Sequence, residues 1–370
     1  MSIVLKLESK KYCCTLELKE KITFIRGDSG KGKTELVRRL NSGSRFNKVS
    51  VSKNYDVIVL TKQLFEQSYK IALNHKKDQN QKENSFLRDY WGEQENFPYS
   101  NTILIIDDDD FIKSREFSIF YEVDKSNYYV IMNRGEIASL SYSADEIYKF
   151  VSDGNNHWLE KFYHYAQNND YKIDTVIVEG IGSDYIFFSH LFKEIEVLNP
   201  TSNGMMQGGG RANLVSMLEK YWKNFVNKRI LLCIDFCAFG SNINKLYGIC
   251  EAFNLNIVFN KNYLSFEYLL LRSNFINDIA LDDFIDRHRL EFHSLELLFT
   301  QRLMELTKAT YYSYSKSKDS FSVCYYEDCC ALRAKASDCV IRYSKIGRNK
   351  LFEMLNNTEF DYLLLCSGSK

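Results

Sequence analysis

Residues 27–34 read Gly-Asp-Ser-Gly-Lys-Gly-Lys-Thr, a G-x-x-x-x-G-K-T pattern. A β-branched and aromatic run, Ile22-Thr-Phe-Ile-Arg26, precedes it, and helix-forming Glu35-Leu-Val-Arg-Arg-Leu40 follows. Strand, glycine loop and helix in that order leave the backbone little choice. The glycines let successive N–H groups turn toward one anion, and the N-terminus of the helix points at the same place. The candidate phosphate-binding residues are therefore Gly27, Asp28, Ser29, Gly30, Lys31, Gly32, Lys33 and Thr34. Lys33 is expected to reach the β- and γ-phosphates of a nucleotide, and Thr34 to hold its Mg²⁺.

The rest of the first half supplies strands to go with this loop. Residues 3–19 alternate as two paired strands would, joined near Ser9-Lys-Lys11, and Asp56-Val-Ile-Val-Leu60 reads as a buried strand. Thr102-Ile-Leu-Ile-Ile106 runs straight into Asp107-Asp-Asp-Asp110. Apolar residues ending in an acid form a Walker B pattern, with Asp107 as the Mg²⁺ residue at the sheet edge where a nucleotide sits. Tyr128-Tyr-Val-Ile-Met132 is a further buried strand, ending in Asn133-Arg134. Arg134 is a candidate for the γ-phosphate and equally a candidate surface arginine.

Together these motifs resemble a minimal P-loop ATPase core of the ABC or AAA kind, over about residues 1–150. The resemblance implies ATP and Mg²⁺ as cofactors. It places Asp108 where many such ATPases carry a glutamate that polarises the attacking water. It also makes 128–132 the extra strand between the Walker A and Walker B strands. The LSGGQ signature of ABC-type ATPases is absent, since Ser139-Leu-Ser-Tyr-Ser143 lacks its glycines. A core without that helix is expected to associate, as a homo-oligomer or with a larger ATPase.

Ser152-Asp-Gly-Asn-Asn156 is a polar break, and Trp158 to Ala166 reads as one amphipathic helix. The expected organisation is thus an ATPase domain over 1–150, a linker helix over 151–171 and a second domain over 172–370. In the second half, Asp174-Thr-Val-Ile-Val-Glu179-Gly180 and Arg229-Ile-Leu-Leu-Cys-Ile-Asp235 are buried strands that end in acids. Helical stretches at 184–192 and 213–222 alternate with them, the second entered through Gly208-Gly-Gly210. The pattern predicts a second parallel α/β sheet. Glu179 and Asp235 then lie at strand C-termini, where carboxylates can share Mg²⁺.

Over roughly residues 172–290 the chain resembles the Toprim domain of topoisomerases, primases and OLD-family nucleases. The matching residues are Val178-Glu179-Gly180, Asp235 and Ser265-Phe-Glu267-Tyr-Leu-Leu270. The last is similar to the S-x-E-x-x-L stretch of OLD-type proteins and of the Toprim partner in PARIS-type phage defence. The resemblance implies a Mg²⁺-dependent nuclease acting on DNA or RNA, with Glu179, Asp235 and Glu267 as catalytic residues and a role in antiphage defence. Two departures stand out. The D-x-D pair reads Asp235-Phe-Cys237, and the acid usually four residues after the glutamate is Asp184, at five. An inactive scaffold that recruits a partner when ATP is bound therefore stays open beside the nuclease.

Charge excludes little. Lysine plus arginine balance aspartate plus glutamate at 48 each, so no global field favours nucleic acid. The first fifty residues carry twelve basic and five acidic side chains, and 333–350 carries six basic against Asp338 alone. Ten scattered cysteines and no long apolar run point to a cytoplasmic chain without a membrane partner. Cys324, Cys329, Cys330 and Cys339 lack the paired spacing of a zinc site and read better as small hydrophobes. Arg342, Lys345 and Arg348 recur at helical spacing, as a phosphate-contacting face or a plain surface helix would. Asp282, Asp283 and Asp286 read as a solvated helix face.

Overall fold

The computed structural model describes residues 2–27, 32–42, 47–76, 81–107, 109–168, 173–192, 195–259, 264–272, 276, 278–308, 313–315 and 360–365. The fold is α/β. It divides into two compact units, Met1–Tyr163 with Asp283–Leu295, and His164–Asp282 with Glu296–Lys370. Among the described residues no helix is long and apolar enough to cross a membrane.

The first unit is built on a nine-stranded mixed sheet. Its strands are β1 (Ile3–Ser9), β2 (Tyr12–Leu18), β3 (Ile22–Arg26), β4 (Lys48–Val51), β5 (Asp56–Val59), β6 (Thr102–Asp107), β7 (Tyr128–Asn133), β8 (Ile147–Asp153) and β9 (Asn156–Lys161). They lie in the order β4-β1-β2-β9-β8-β3-β7-β6-β5. The stretch β8-β3-β7-β6-β5 is parallel throughout. β6 and β7 bury nearly every side chain, as parallel strands covered on both faces must. β1 and β2 form the expected hairpin, with Ser9 opposite Tyr12 and alternate residues buried.

Four helices belong to this sheet: α1 (Lys33–Asn41), α2 (Lys62–Asn74), α3 (Glu83–Gly92) and α4 (Arg115–Val123). Aromatic rings cement the last three. Phe65 of α2 stacks on Phe111 at 5.0 Å, and Trp91 of α3 meets Phe120 of α4 edge-on at 5.3 Å. Thr61 caps α2 through Leu64 N–H, and Ser114 caps α4 through Phe117 N–H.

The expected linker helix is not there. Residues 156–161 are β9 and 163–168 are a further strand, β10. Asp153 pairs with Asn156 across Gly154-Asn155, and Gly154 sits at φ +57°. The supposed polar break is thus a two-residue hairpin turn whose glycine supplies the left-handed conformation. β9 runs antiparallel to β8 and parallel to β2, so it joins the two halves of the large sheet.

The second unit carries a six-stranded sheet in the order β10-β15-β14-β13-β11-β12. Its further strands are β11 (Thr175–Val178), β12 (Glu196–Leu198), β13 (Arg229–Cys233), β14 (Asn256–Phe259) and β15 (Phe360–Leu365). β12, β11, β13 and β14 are parallel, and β15 is antiparallel to β14. Its helices are α5 (Ser183–Leu191), α6 (Arg211–Lys220), α7 (Gly240–Phe253), α8 (Phe266–Arg272) and α10 (Leu295–Thr307), while α9 (Leu281–His288) begins in this unit and belongs mostly to the first. The first residues of α9 and of α10 fall on the other side of the division between units from the rest of each helix. The tail residues Cys324, Cys329, Cys330, Cys339, Arg342, Lys345 and Arg348 lie outside the described residues.

One buried polar network fixes the start of β6 and β7. Asn127 accepts from Thr102 N–H at 2.8 Å and donates to the Tyr99 carbonyl and to Asp124, both at 2.9 Å. The other Asp124 oxygen accepts from Tyr129 OH at 2.7 Å. Lys21 Nζ donates to the Asp124 and Tyr121 carbonyls, and burial pushes its ammonium down to about 8 against the pull of the Asp124 carboxylate. Asn127→Ala takes away these partners of the Thr102 N–H and the Tyr99 carbonyl and removes one donor from Asp124, whose carboxylate keeps Ser126 N–H and Tyr129 OH. We expect it to cost about 2–4 kcal/mol in urea unfolding, well above a typical substitution.

Candidate functional sites

The parallel register of the first unit gathers its motif residues on one sheet edge. Arg26 of β3 stands opposite Asn133 of β7, and Asp107 of β6 opposite Met132. The ends of β3, β7 and β6, with Gly27, Arg134 and Asp107, therefore line the C-terminal edge. Asp28, Ser29, Gly30, Lys31 and Asp108 lie outside the described residues.

The described ends of the loop are distinctive. Lys33 Nζ donates to the Gly27 carbonyl, so the ammonium folds back over the loop's first residue. Gly32 sits at φ +97°, and a Cβ there would meet the His157 and Phe150 rings at 3.3 Å. His157 is sandwiched, stacking on Tyr12 at 4.3 Å and on Phe150 at 5.6 Å. Burial, reinforced by the Arg39 cation, holds its imidazole below the usual value, while Glu35 pulls the other way. No described side chain caps α1, in contrast to α2 and α4. Thr34 occupies its first turn. Glu35 is bound by Arg38 at 2.7 Å and Arg39 at 2.5 Å, which hold its carboxyl below the carboxylate range.

The aspartate run separates by role. Asp107 is half-buried at the strand end. Asp109 accepts from Phe111 N–H at 3.3 Å and caps the short turn that follows. Asp110 is exposed and pairs with Lys113 at 2.7 Å. Arg134 is exposed, and its backbone N–H bonds the Asn133 side chain at 2.9 Å. Arg26 is engaged by Glu136 at 2.7 Å and Tyr163 OH at 3.1 Å.

In the second unit, neighbouring parallel strands deliver two acids to one place. Glu179 follows β11, and its N–H bonds the Cys233 carbonyl at the end of β13. Glu179 Oε2 accepts from Asp235 N–H at 3.2 Å. Asp235 Oδ1 accepts from Phe266 N–H at 3.4 Å, which draws the start of α8 to the same spot. Ser265 accepts from Tyr268 N–H at 3.2 Å, capping α8 and setting Glu267 in its first turn. Glu267 is buried, and its Oε1 accepts from Tyr314 OH at 2.6 Å. The S-x-E spacing is thus a capping device that presents a carboxylate.

Electrostatics records the crowding. Burial pushes Glu179 up to about 7, against the opposing pull of Arg211, and pushes Asp235 well above the carboxylate range. Glu179, Glu267, Glu296 and Asp184 add to the rise at Asp235. Asp184 Oδ2 accepts from Gly180 N–H at 3.0 Å, and a Cβ on Gly180 would collide with that carboxylate. Cys237, two residues after Asp235, is buried, with its thiol pushed well up by burial and then by Asp235. Among the described residues no group of three or more His, Cys, Asp or Glu is gathered as a metal-holding cluster. Asp282 pairs with Arg272, and Asp286 with Arg289 at 2.7 Å.

Sequence reasoning missed four contributors. Arg211 carries a sequence signal, because it follows Gly208-Gly-Gly210 directly. Glu296, Tyr314 and the His157 ring over Gly32 come from distant or misread segments and carry none. Comparison with protein-family models, with curated proteins and with solved structures found no match to this chain.

Gly32→Ala forces a left-handed alanine against two rings. We expect it to lower stability by about 1–2 kcal/mol. Gly92→Ala, at a helical glycine where a Cβ meets nothing within 4 Å, should be neutral or slightly stabilising. Denaturant unfolding of the pair checks the contrast.

Proposed function

We propose that the first unit is a P-loop ATPase of the ABC or AAA kind and that the second is a Toprim-like, Mg²⁺-dependent nuclease under its control, with antiphage defence as the setting. The observation that carries the ATPase reading is the strand order. β7 lies between β3, which leads into the glycine loop, and β6, which ends in Asp107. All three are parallel, so loop and acid share the edge where open α/β sheets bind ligands.

In this reading Lys33 would neutralise the β- and γ-phosphate oxygens, and Thr34 and Asp107 would hold Mg²⁺, which would supply charge stabilisation of the phosphoryl group. Asp108 would orient the attacking water and Arg134 would reach the γ-phosphate. His157 and Phe150 support the loop from below Gly32. In the second unit the donors are carboxylate oxygens only, a set that suits Mg²⁺ or Mn²⁺ and not zinc. Glu179 and Asp235 would hold the ion, which would supply Lewis-acid stabilisation of a phosphodiester. Glu267, held by Tyr314, completes the acidic wall.

One observation favours the alternative of an inactive, partner-recruiting scaffold. Where the family's second acid stands, this chain buries a neutral thiol, Cys237. That removes one oxygen donor from the acid site.

Lys33→Ala should abolish ATP hydrolysis, and Asp108→Asn should slow hydrolysis more than nucleotide binding. A malachite-green assay beside a fluorescent-nucleotide titration separates the two. Glu179→Gln should remove metal-dependent nicking of plasmid and single-stranded substrates while hydrolysis continues. Full turnover by Lys33→Ala sinks the ATPase reading. A wild-type chain that never cuts, paired with a Glu179→Gln variant of full biological activity, leaves the scaffold.

A further inference from the structure

Arg211 is unclaimed by the sequence motifs, yet the chain goes to some length to place it. Gly208-Gly-Gly210 delivers it to the acid site. Gly209 packs so closely that a Cβ would meet Ile181 Cγ2 at 2.9 Å and the Glu179 carbonyl at 3.3 Å. Gly210 adopts φ +94°, and its N–H bonds the Glu179 carbonyl at 3.0 Å. Two glycines are thus required, one by close approach and one by conformation, and Arg211 follows as the first residue of α6.

The side chain is then aimed. Nη1 donates to the Ala238 carbonyl, in the turn just after Asp235. Nε stays 3.8 Å from Glu179 Oε1, beyond hydrogen-bond distance. The guanidinium therefore spans the ends of β11 and β13, fixed by a backbone carbonyl and not by a close ion pair. About 31% of the side chain remains exposed. A cation committed only to neutralising Glu179 would close on it with a bidentate fork. This one keeps donors available beside the acids, as recognition of a tetrahedral anion requires.

We infer that Arg211 holds a non-bridging phosphate oxygen of a nucleic-acid strand lying across the Glu179–Asp235 carboxylates. The inference rests on the nuclease reading of that site. It assigns substrate binding to a residue outside the acidic motifs. Attraction to the strand as a whole is sequence-independent, so the contact positions the phosphodiester without reading bases.

The test is fluorescence anisotropy of a labelled single-stranded oligonucleotide with the full chain in EDTA, with Mg²⁺-dependent cleavage followed in parallel. Arg211→Gln keeps an amide donor for the Ala238 carbonyl and removes the charge, so it spares the local fold where Arg211→Ala does not. We expect Arg211→Gln to weaken binding roughly tenfold and to reduce the salt slope by about one, with Arg211→Lys recovering part of the loss. The same loss should appear in a Glu179→Gln background. If it vanishes there, Arg211 is only the charge partner of Glu179 and the inference is overturned. Cleavage and binding by Arg211→Gln at wild-type level also overturn it, while the nuclease reading stands. Arg211-dependent binding with no cleavage by wild type keeps the phosphate contact and removes the nuclease. Absence of both in wild type removes both.

Discussion

Backbone hydrogen bonds between β3, β7 and β6 fix where every chemically interesting residue of the first unit lies. In a parallel ladder the register decides which residues reach the edge together, and a slip by one would turn each side chain to the other face. Here β6 and β7 are buried on both faces, so a slip would also move Asp107 and Asn133 out of line with Arg26. The Asp124–Asn127–Tyr129 network sits at the opposite end of these strands and ties Thr102 to the β7 entry. The ladder thus carries a buried polar network at one edge and the candidate phosphate site at the other.

The second unit reaches a similar end by different means. Its two acids come from neighbouring strands through a single register, Val178 beside Cys233. Everything else is brought by local devices. Ser265 caps α8 and so presents Glu267, and two constrained glycines bring Arg211 forward. A backbone N–H on each acid orients it: Asp235 N–H on Glu179, Phe266 N–H on Asp235, Gly180 N–H on Asp184. Such bonds favour the ionised carboxylates, while burial opposes ionisation more strongly and lifts Glu179 to about 7.

The buried parallel strands were legible because their signal is local. Ile22–Arg26, Thr102–Ile106, Tyr128–Met132, Thr175–Val178 and Arg229–Cys233 are short apolar runs bounded by polar residues, and each is a strand. The α/β character followed from their alternation with helices. Strands β9 and β10 were misread as one helix because Trp158, Leu159 and Phe162 fall at helical i, i+1, i+4 spacing. The pairing of β9 with both β8 and β2 decided for a strand, and that is information from residues far apart in the chain. The aspartate run shows a similar limit. Four identical residues carry no mark of which one caps a turn, and only the turn at 110–113 assigns Asp109 and Asp110 to structural duty.

Charge balance then bears on what the acid site needs. Glu179, Asp235, Glu267, Asp184 and Glu296 act on one another through a poorly solvated region, where like charges repel more strongly than in water. Arg211 opposes Glu179 from 3.8 Å, at a distance that offsets only part of that repulsion. Tyr314 offers Glu267 a neutral donor, which steadies the carboxylate without cancelling its charge. Cys237, two residues after Asp235, is buried with its thiol pushed well up, so it adds no charge to that repulsion. Protonation of one carboxylate relieves that repulsion, and the rise at both Glu179 and Asp235, driven first by burial, is its electrostatic counterpart.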